Sequence, residues 1–262
     1  MQISLTDLAA VVPDNDPDLE EARCRRDLAA CYRLVAMFGW DDLLATHLSA
    51  KLPSQEAFLI NPFGLMFDEV TASSLVKVDL DGNVLGSTPY AVNRAGFVIH
   101  SAVHAARPDA GCVIHLHTPD GVAVSAVKGG LLPLNQTAMI VGESLAFHEY
   151  EGVAIDETER ERLAADLGDK PLMLLHNHGT LSVAASVAEA FLQIYTLEWA
   201  CRVQVRTLAM GLPLHHADPA VIAHTGKSFG FSNPANAGAY AQNLIWPAML
   251  RKLDRVNPGY AD

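Results

Sequence analysis

Basic residues are scarce in this chain: 18 Lys and Arg stand against 30 Asp and Glu, a formal net charge of −12. No cluster of Lys and Arg builds a basic face, so nucleic-acid phosphates find no partner and nucleic-acid binding is not expected. Long apolar runs are missing too. Nothing approaches the roughly 20 residues that span a bilayer, so no membrane partner is expected. Cysteines are few: Cys24, Cys31, Cys112 and Cys201 show no paired spacing, which reads as reduced core cysteines in a cytoplasmic protein. A secretory start is absent as well, since Met1-Gln2-Ile3-Ser4 leads into the acidic stretch Asp14 to Glu21.

What is present is apolar material. Half of the 262 residues are hydrophobic and 18% are charged, enough for one domain with a full core and too little polarity for disorder. An acidic chain that handles an anionic substrate needs local positive charge, from a metal ion or from placed arginines.

Residues 1–18 are rich in Asp and Pro without sustained period and read as a loose arm; residues 19–210 read as the domain, and 211–262 as a divergent tail. From Asp18 to Phe38 the apolar positions recur at helical spacing until Gly39 stops them. Thr46 to Leu52 and Ala57 to Ile60 read as a strand hairpin about Pro53-Ser54, Thr71 to Leu75 as a short helix, and Val76 to Val84 as a second hairpin about Asp81-Gly82. Asn93 to Ala106 reads as a helix closed before Arg107-Pro108. The strand Cys112 to His117 follows, then a helix over Thr118 to Val127, a buried strand over Leu172 to Leu175 and a long helix over Val187 to Met210. The tail ends in a helix carrying Trp246, Met249, Leu250 and Leu253, expected to pack on its own domain or on a neighbouring subunit.

In a strand, residues i and i+2 share a face, so His115 and His117 project together while Leu116 turns into the core. Two imidazoles on one strand end fix two corners of a metal polyhedron, and a third completes an open site. The same pair could equally be hydrogen-bonded histidines at a strand end. A second apolar strand, Leu172 to Leu175, also ends in imidazoles, at His176-Asn177-His178-Gly179, and two such ends suggest one shared site.

The stretches LINPFGLMFDEVTASSLVKVDLDGNVLG, HSAVHAARPDAGCVIHLHTPDGVAVSA and LLHNHGTLSVAASVAEAF resemble the class II aldolase/adducin family, over Asp27 to Ala209. The resemblance implies an α/β fold, a three-layer αβα sandwich around a mostly antiparallel mixed β-sheet. It implies one divalent metal ion per chain on His115, His117 and His178, zinc first, with manganese, cobalt or iron as alternatives. It also implies a homotetramer with sites near subunit interfaces. Adducins of the animal membrane skeleton share the fold and act as scaffolds; the intact histidine trio sets this chain apart from them. His176 is expected to support a metal ligand rather than to be a fourth one.

Two departures from the family pattern matter. Members that cleave sugar phosphates carry a catalytic glutamate nineteen positions before the first metal histidine, where this chain has Gly96, and their phosphate cradle maps here to Thr46, His47, Phe63, Gly64, Arg94 and Ala95. Arg94 suits a planar carboxylate, with an exposed helix position as its alternative, Phe63 would present an apolar or aromatic wall, and Gly64 beside it is a further substrate-binding candidate. His47 reads as a substrate donor or a core polar group. His100 and His104, four apart on one helix face, read as packing, whereas His148 and Tyr150, placed in a polar loop from Phe147 to Glu151, are candidates for proton delivery.

A divalent ion on three neutral histidines keeps its full charge and attracts two adjacent substrate oxygens. The expected activity is therefore metal-dependent carbon–carbon lysis of a small hydroxy or keto carboxylate, and the missing glutamate favours decarboxylation over base-requiring aldol cleavage. Two rivals stand beside it: an Fe(II) oxygenase on the same trio, and an inert adducin-like interaction domain.

Overall fold

The computed structural model describes residues 16–152, 158–231 and 238–262. Residues 1–15 of the expected arm lie outside them. Helix α1 (Pro17–Met37) starts where the Asp16 carboxylate accepts the Asp18 amide and Pro17 supplies a preset first turn. It stops at Gly39, whose φ of +66° suits glycine.

The chain then builds β1 (His47–Leu52), β2 (Ala57–Ile60), β3 (Val76–Asp79), α2 (Arg94–Ala106), β4 (Cys112–Leu116), α3 (Pro119–Ser125), α4 (Gln136–Gly142), β5 (Leu145–His148) and α5 (Glu159–Leu167). After these come β6 (Leu172–Leu175), β7 (Gly179–Ala184), α6 (Val187–Ala209), α7 (Pro219–Phe229), a π-turn at Ala241–Ile245 and α8 (Trp246–Val256). The strands form one sheet in the order β3-β2-β1-β4-β7-β6-β5. Only the β5–β6 pair is parallel, so the mixed, mostly antiparallel αβα sandwich expected from the resemblance is what the chain adopts.

Strand alternation sorts the layers. Cys112, Ile114 and Leu116 of β4, with Leu48, Ala50 and Leu52 of β1, join the main core under α1 and α6. Val113, Met173, Leu175, Leu181 and Val183 face the other way and pack with Ile99 and Val103 of α2 and Leu163 and Leu167 of α5. His115 has the parity of Val113, so it leaves β4 on the α2 side of the sheet.

Several expectations are corrected. Thr71 to Leu75 is a turn, not a helix: Ser74 and Thr71 exchange side-chain and backbone hydrogen bonds, the local competition that keeps such residues out of helices. The second hairpin reduces to β3 and a single bridge between Val78 and Val84. His148 lies in β5 and not in a loop. Apart from these corrections, the tail helix α8 carries Trp246 and Leu253 inside the main core.

Candidate metal centre

Three elements deliver the histidines. β4 carries His115 and leads directly into His117, while the turn between β6 and β7 carries His178, with Asn177 at a left-handed φ of +57°. Adjacent β7 lies unusually close to β4 at this point. A Cβ on Gly179 would stand 2.3 Å from the Leu116 carbonyl oxygen and 3.2 Å from His117 Cδ2, so only glycine allows the approach.

The three rings meet pairwise at centroid separations of 4.7 Å. His115 Nε2 stands 3.0 Å from His117 Nε2 and 3.2 Å from His178 Nε2. The other ring nitrogens decide what those short separations mean. His115 Nδ1 donates to the Thr180 carbonyl at 3.0 Å and His117 Nδ1 to the Asp42 carboxylate at 3.1 Å. Both Nδ1 atoms therefore hold protons, and both Nε2 atoms present bare lone pairs to one another when the rings are neutral. Burial, then the neighbouring His178 and His117, holds His115 well below the usual histidine range, and burial, then His117, brings His178 down to about 4. Converging lone pairs repel unless a cation lies between them. Nitrogens bound to one tetrahedral zinc stand about 3.3 Å apart, so the donor set fits such an ion.

Beneath the trio lies Glu198 of α6, 3% exposed. It accepts hydrogen bonds from Thr118 Oγ1 and, at 2.5 Å, from Thr180 Oγ1. Thr118 follows His117 in the chain, and Thr180 holds His115. Burial raises the Glu198 carboxyl to about 7 against these hydrogen bonds.

A cavity of about 440 Å³ opens over the trio, lined by Ala45, His47, Asn93, Gly96, Ile99, His115, His117, Tyr150, Gly152 and His178. It brings together His47, Tyr150 and the three candidate ligands. The Tyr150 ring lies 6.3 Å from that of His178 and is 53% exposed. Other candidates are placed elsewhere. Arg94 is exposed and lines a separate cavity with Asp81, Phe97 and Arg160. Phe63 and Gly64 are exposed on the loop after β2. His148 is 2% exposed and lies between Asp166, 2.7 Å from its Nδ1, and Glu159. His176 donates from Nδ1 to the Ser125 carbonyl and stacks on Phe147; in a turn the i, i+2 rule fails, and it supports none of the three rings directly. The supports are Asp42 and Thr180, which sequence reasoning missed. Only Glu198 carried a signal, as a carboxylate on the apolar stripe of α6 with Ile194 and Cys201.

A mixed sheet flanked by helices, with three imidazoles converging at a strand end, is the build of an α/β protein of the metal-dependent aldolase class. The chain belongs to the class II aldolase and adducin family: the model of the class II aldolase and adducin N-terminal domain matches residues 26–205. A Caulobacter vibrioides protein that carries a provisional class 2 aldolase name is 55% identical over 92% of this chain and 93% of its own length. Rat alpha-adducin is 50% identical over 97% of this chain, which spans 37% of the adducin. Among solved structures, an aldolase II superfamily protein from Pseudomonas syringae is 45% identical with a TM-score of 0.86, covering 96% of this chain and 98% of that one. The L-fuculose 1-phosphate aldolase of Glaciozyma antarctica is 29% identical with a TM-score of 0.83, over 97% and 99%.

Proposed function

We propose that this protein is a divalent-metal-dependent carbon–carbon lyase, a retro-aldolase or decarboxylase, for a small hydroxy or keto carboxylate. The observation that carries this reading is the orientation of His115 and His117: their outer nitrogens are committed to Thr180 and Asp42 and their inner ones converge on His178. A divalent ion, zinc by preference, supplies electrophilic stabilisation of the negative charge that develops on substrate oxygens as the bond breaks. His115, His117 and His178 hold it.

The remaining cavity residues bind and orient. Ala45 and Ile99 form an apolar wall that excludes water, and Tyr150, exposed at the cavity, delivers the proton. No Lys or Arg is among the described residues that line the cavity. Substrate carboxylate recognition therefore rests on the ion, and Arg94 is left out of the role that its sequence position suggested. The volume suits a substrate of a few carbons. The assembly belonging to this reading is a homotetramer, to be checked by light scattering.

The 50% identity to alpha-adducin supports a second reading, an interaction domain without catalysis. Elemental analysis of protein purified without a metal-affinity resin separates the two. About one zinc, manganese, cobalt or iron per chain, lost in His115→Ala, is the expected result, followed by oxygen-independent release of carbon dioxide or an aldehyde from hydroxy and keto acids. Oxygen-dependent turnover with Fe(II) would point to an oxygenase, and a chain that cannot be loaded with any of these metals would leave the scaffold.

A further inference from the structure

We propose that the chain has a second small-molecule site, on the α6 side of the sheet, and that it takes a small zwitterion, an alkylated ammonium joined to a carboxylate. The proposal stands apart from the metal reading, because the cavity concerned shares no lining residue with the one over the trio.

Helical periodicity builds the main wall. Tyr195, Glu198, Trp199 and Arg202 stand at i, i+3, i+4 and i+7 of α6 and so share one face, next to the stripe of Ile194, Leu197 and Cys201 that enters the main core. All four line a cavity of about 290 Å³. The Tyr195 and Trp199 rings stack at 6.4 Å with 17° between their planes. The second wall comes from the end of α1. Gly39, at a φ of +66°, lets the Trp40 amide fold back to the Val35 carbonyl at 3.0 Å. The Trp40 ring thereby stacks on Phe38 at 4.8 Å and comes within 5.7 Å of Tyr195. Phe38 is committed to that stack and to the Lys252 ammonium, 5.2 Å from its ring. Trp40, Tyr195 and Trp199 are the rings left for a ligand.

Burial does not account for this arrangement. Trp199 is 49% exposed and stands outside the main core. A lone exposed tryptophan is ordinary; one that lines a cavity with two further rings and two charges is not. Asp120, in the first turn of α3, and Arg202 line the same cavity. Neither side chain has an ion pair or a hydrogen bond among the described residues, so the cavity carries one charge of each sign that the fold does not pair. The Glu198 carboxyl is already taken by Thr118 and Thr180.

These groups define the ligand. A cation over an aromatic face is attracted by the ring quadrupole, tryptophan most strongly, and alkylated ammonium groups are the cations that such rings recognise. Asp120 adds its charge to that attraction. Arg202 suits a carboxylate through paired hydrogen bonds. A cation alone would meet Arg202 unfavourably and an anion alone would meet Asp120 so, whereas a molecule with both charges satisfies each. The volume is near the lower end for small-molecule sites, which limits the ligand to a few carbons.

The test uses the full-length chain with glycine betaine as the probe and two truncated forms of it: tetramethylammonium, which lacks the carboxylate, and 3,3-dimethylbutanoate, which keeps the shape without the positive charge. Tryptophan emission and saturation-transfer NMR read binding. Osmolytes also act by exclusion from protein surfaces, so only a saturable response counts. The expectation is saturable binding of betaine, with each truncated probe about tenfold weaker. Trp199→Leu and Asp120→Asn should each weaken betaine about tenfold, and Arg202→Gln should remove its advantage over tetramethylammonium. His115→Ala should bind betaine as wild type does, whatever becomes of the metal reading. Trp199 and Arg202 are exposed, so replacing them leaves the core intact, and the three probes on wild type need no variant. The proposal is overturned by the absence of a saturable betaine response, or by 3,3-dimethylbutanoate binding as tightly as betaine, which leaves only an apolar groove. Wild-type affinity in Trp199→Leu or Asp120→Asn, or loss of binding in His115→Ala, puts the probe elsewhere and overturns it equally.

Discussion

Replacing Gly179 by alanine should separate the candidate ligands without replacing any of them. The new Cβ would stand 2.3 Å from the Leu116 carbonyl oxygen, whereas non-bonded carbon is comfortable at about 3.5 Å. The carbonyl cannot swing aside, because Leu116 pairs with Thr180 in the β4–β7 ladder. β7 must therefore retreat from β4 by about 1 Å. Overpacking of this kind costs roughly 2 kcal/mol, which for a chain of this length lowers Tm by about 4–8 °C. The metal consequence is larger. Metal sites tolerate ligand displacements of about 0.2 Å, and His178 precedes the moved residue, so zinc affinity should fall by about 100-fold, the upper end for loss of ligand support. Competition against a chromogenic chelator reads the affinity, and calorimetry reads Tm. Gly142→Ala is the control: at the end of α4 its added Cβ meets nothing within 4 Å, so both readings should stay at wild type. A Gly179→Ala protein with wild-type zinc affinity and Tm would show that the close approach does not set the geometry of the trio.

Asp42→Ala removes the acceptor that orients His117 and should weaken zinc by about tenfold, with Asp42→Asn intermediate, in the same chelator competition; unchanged affinity in both would dismiss Asp42 as a support. Glu198→Gln should alter the pH profile of stability. The folded carboxyl is raised to about 7 from a reference of 4.5, so wild type has its full contribution below 4.5 and loses it as pH rises through 7. The loss is about 3 kcal/mol. The neutral amide lacks this loss, so urea midpoints should coincide near pH 4 and the variant should be the more stable above pH 7; parallel profiles would refute the assignment. Buried His104, brought down to about 4 by burial, works with the opposite sign and weakens both proteins as pH falls from 6.5 toward 4.

The layers and the convergence of His115 and His117 were legible because they rest on short-range rules. Alternation in β4 put Leu116 in the core and His115 on the other face, and Gly39, Pro108 and the helical stripe over 187–210 marked their elements without help from distant residues. Legibility failed where tertiary context decides. β7 opens with glycine and mixes Thr and Ser with Leu and Val, so the strand alternation that marks an element is missing there; both of its faces are buried and its hydroxyls bond to α6, as Ser182 does to the Ala190 carbonyl. β5 is four residues at the sheet edge and ends in His148, which resembled a polar loop. The reading of His176 failed for a local reason: parity applies in strands, and residues 176–178 form a turn. Asp42 and Arg94 show the limit most clearly. Each is a charged residue with no neighbouring signal, and only the packed chain decides that Asp42 meets His117 while Arg94 lines a different cavity.

Glu198 connects these levels. Two candidate ligands come from β4 and its end, and their orientation depends on Thr180 and on the chain leaving His117 through Thr118. A single buried carboxyl on α6 accepts from both threonines, so the helix layer sets the strand ends from the side opposite the cavity. Thr118 Oγ1 also accepts the Gly121 amide and caps α3, which leaves it one proton to donate and one place to send it. Removing the Glu198 carboxyl therefore disturbs three things together: the cap of α3, the position of His117 and the carbonyl that holds His115. An interior acid raised toward neutrality is a poor choice for stability alone, since an apolar residue would fill the space without a desolvation penalty. Its retention is explained if ligand geometry is what it maintains. The consequence is specific: Glu198→Leu should unfold at a Tm no lower than that of Glu198→Gln yet bind zinc more weakly, because it packs the layer while releasing both threonines.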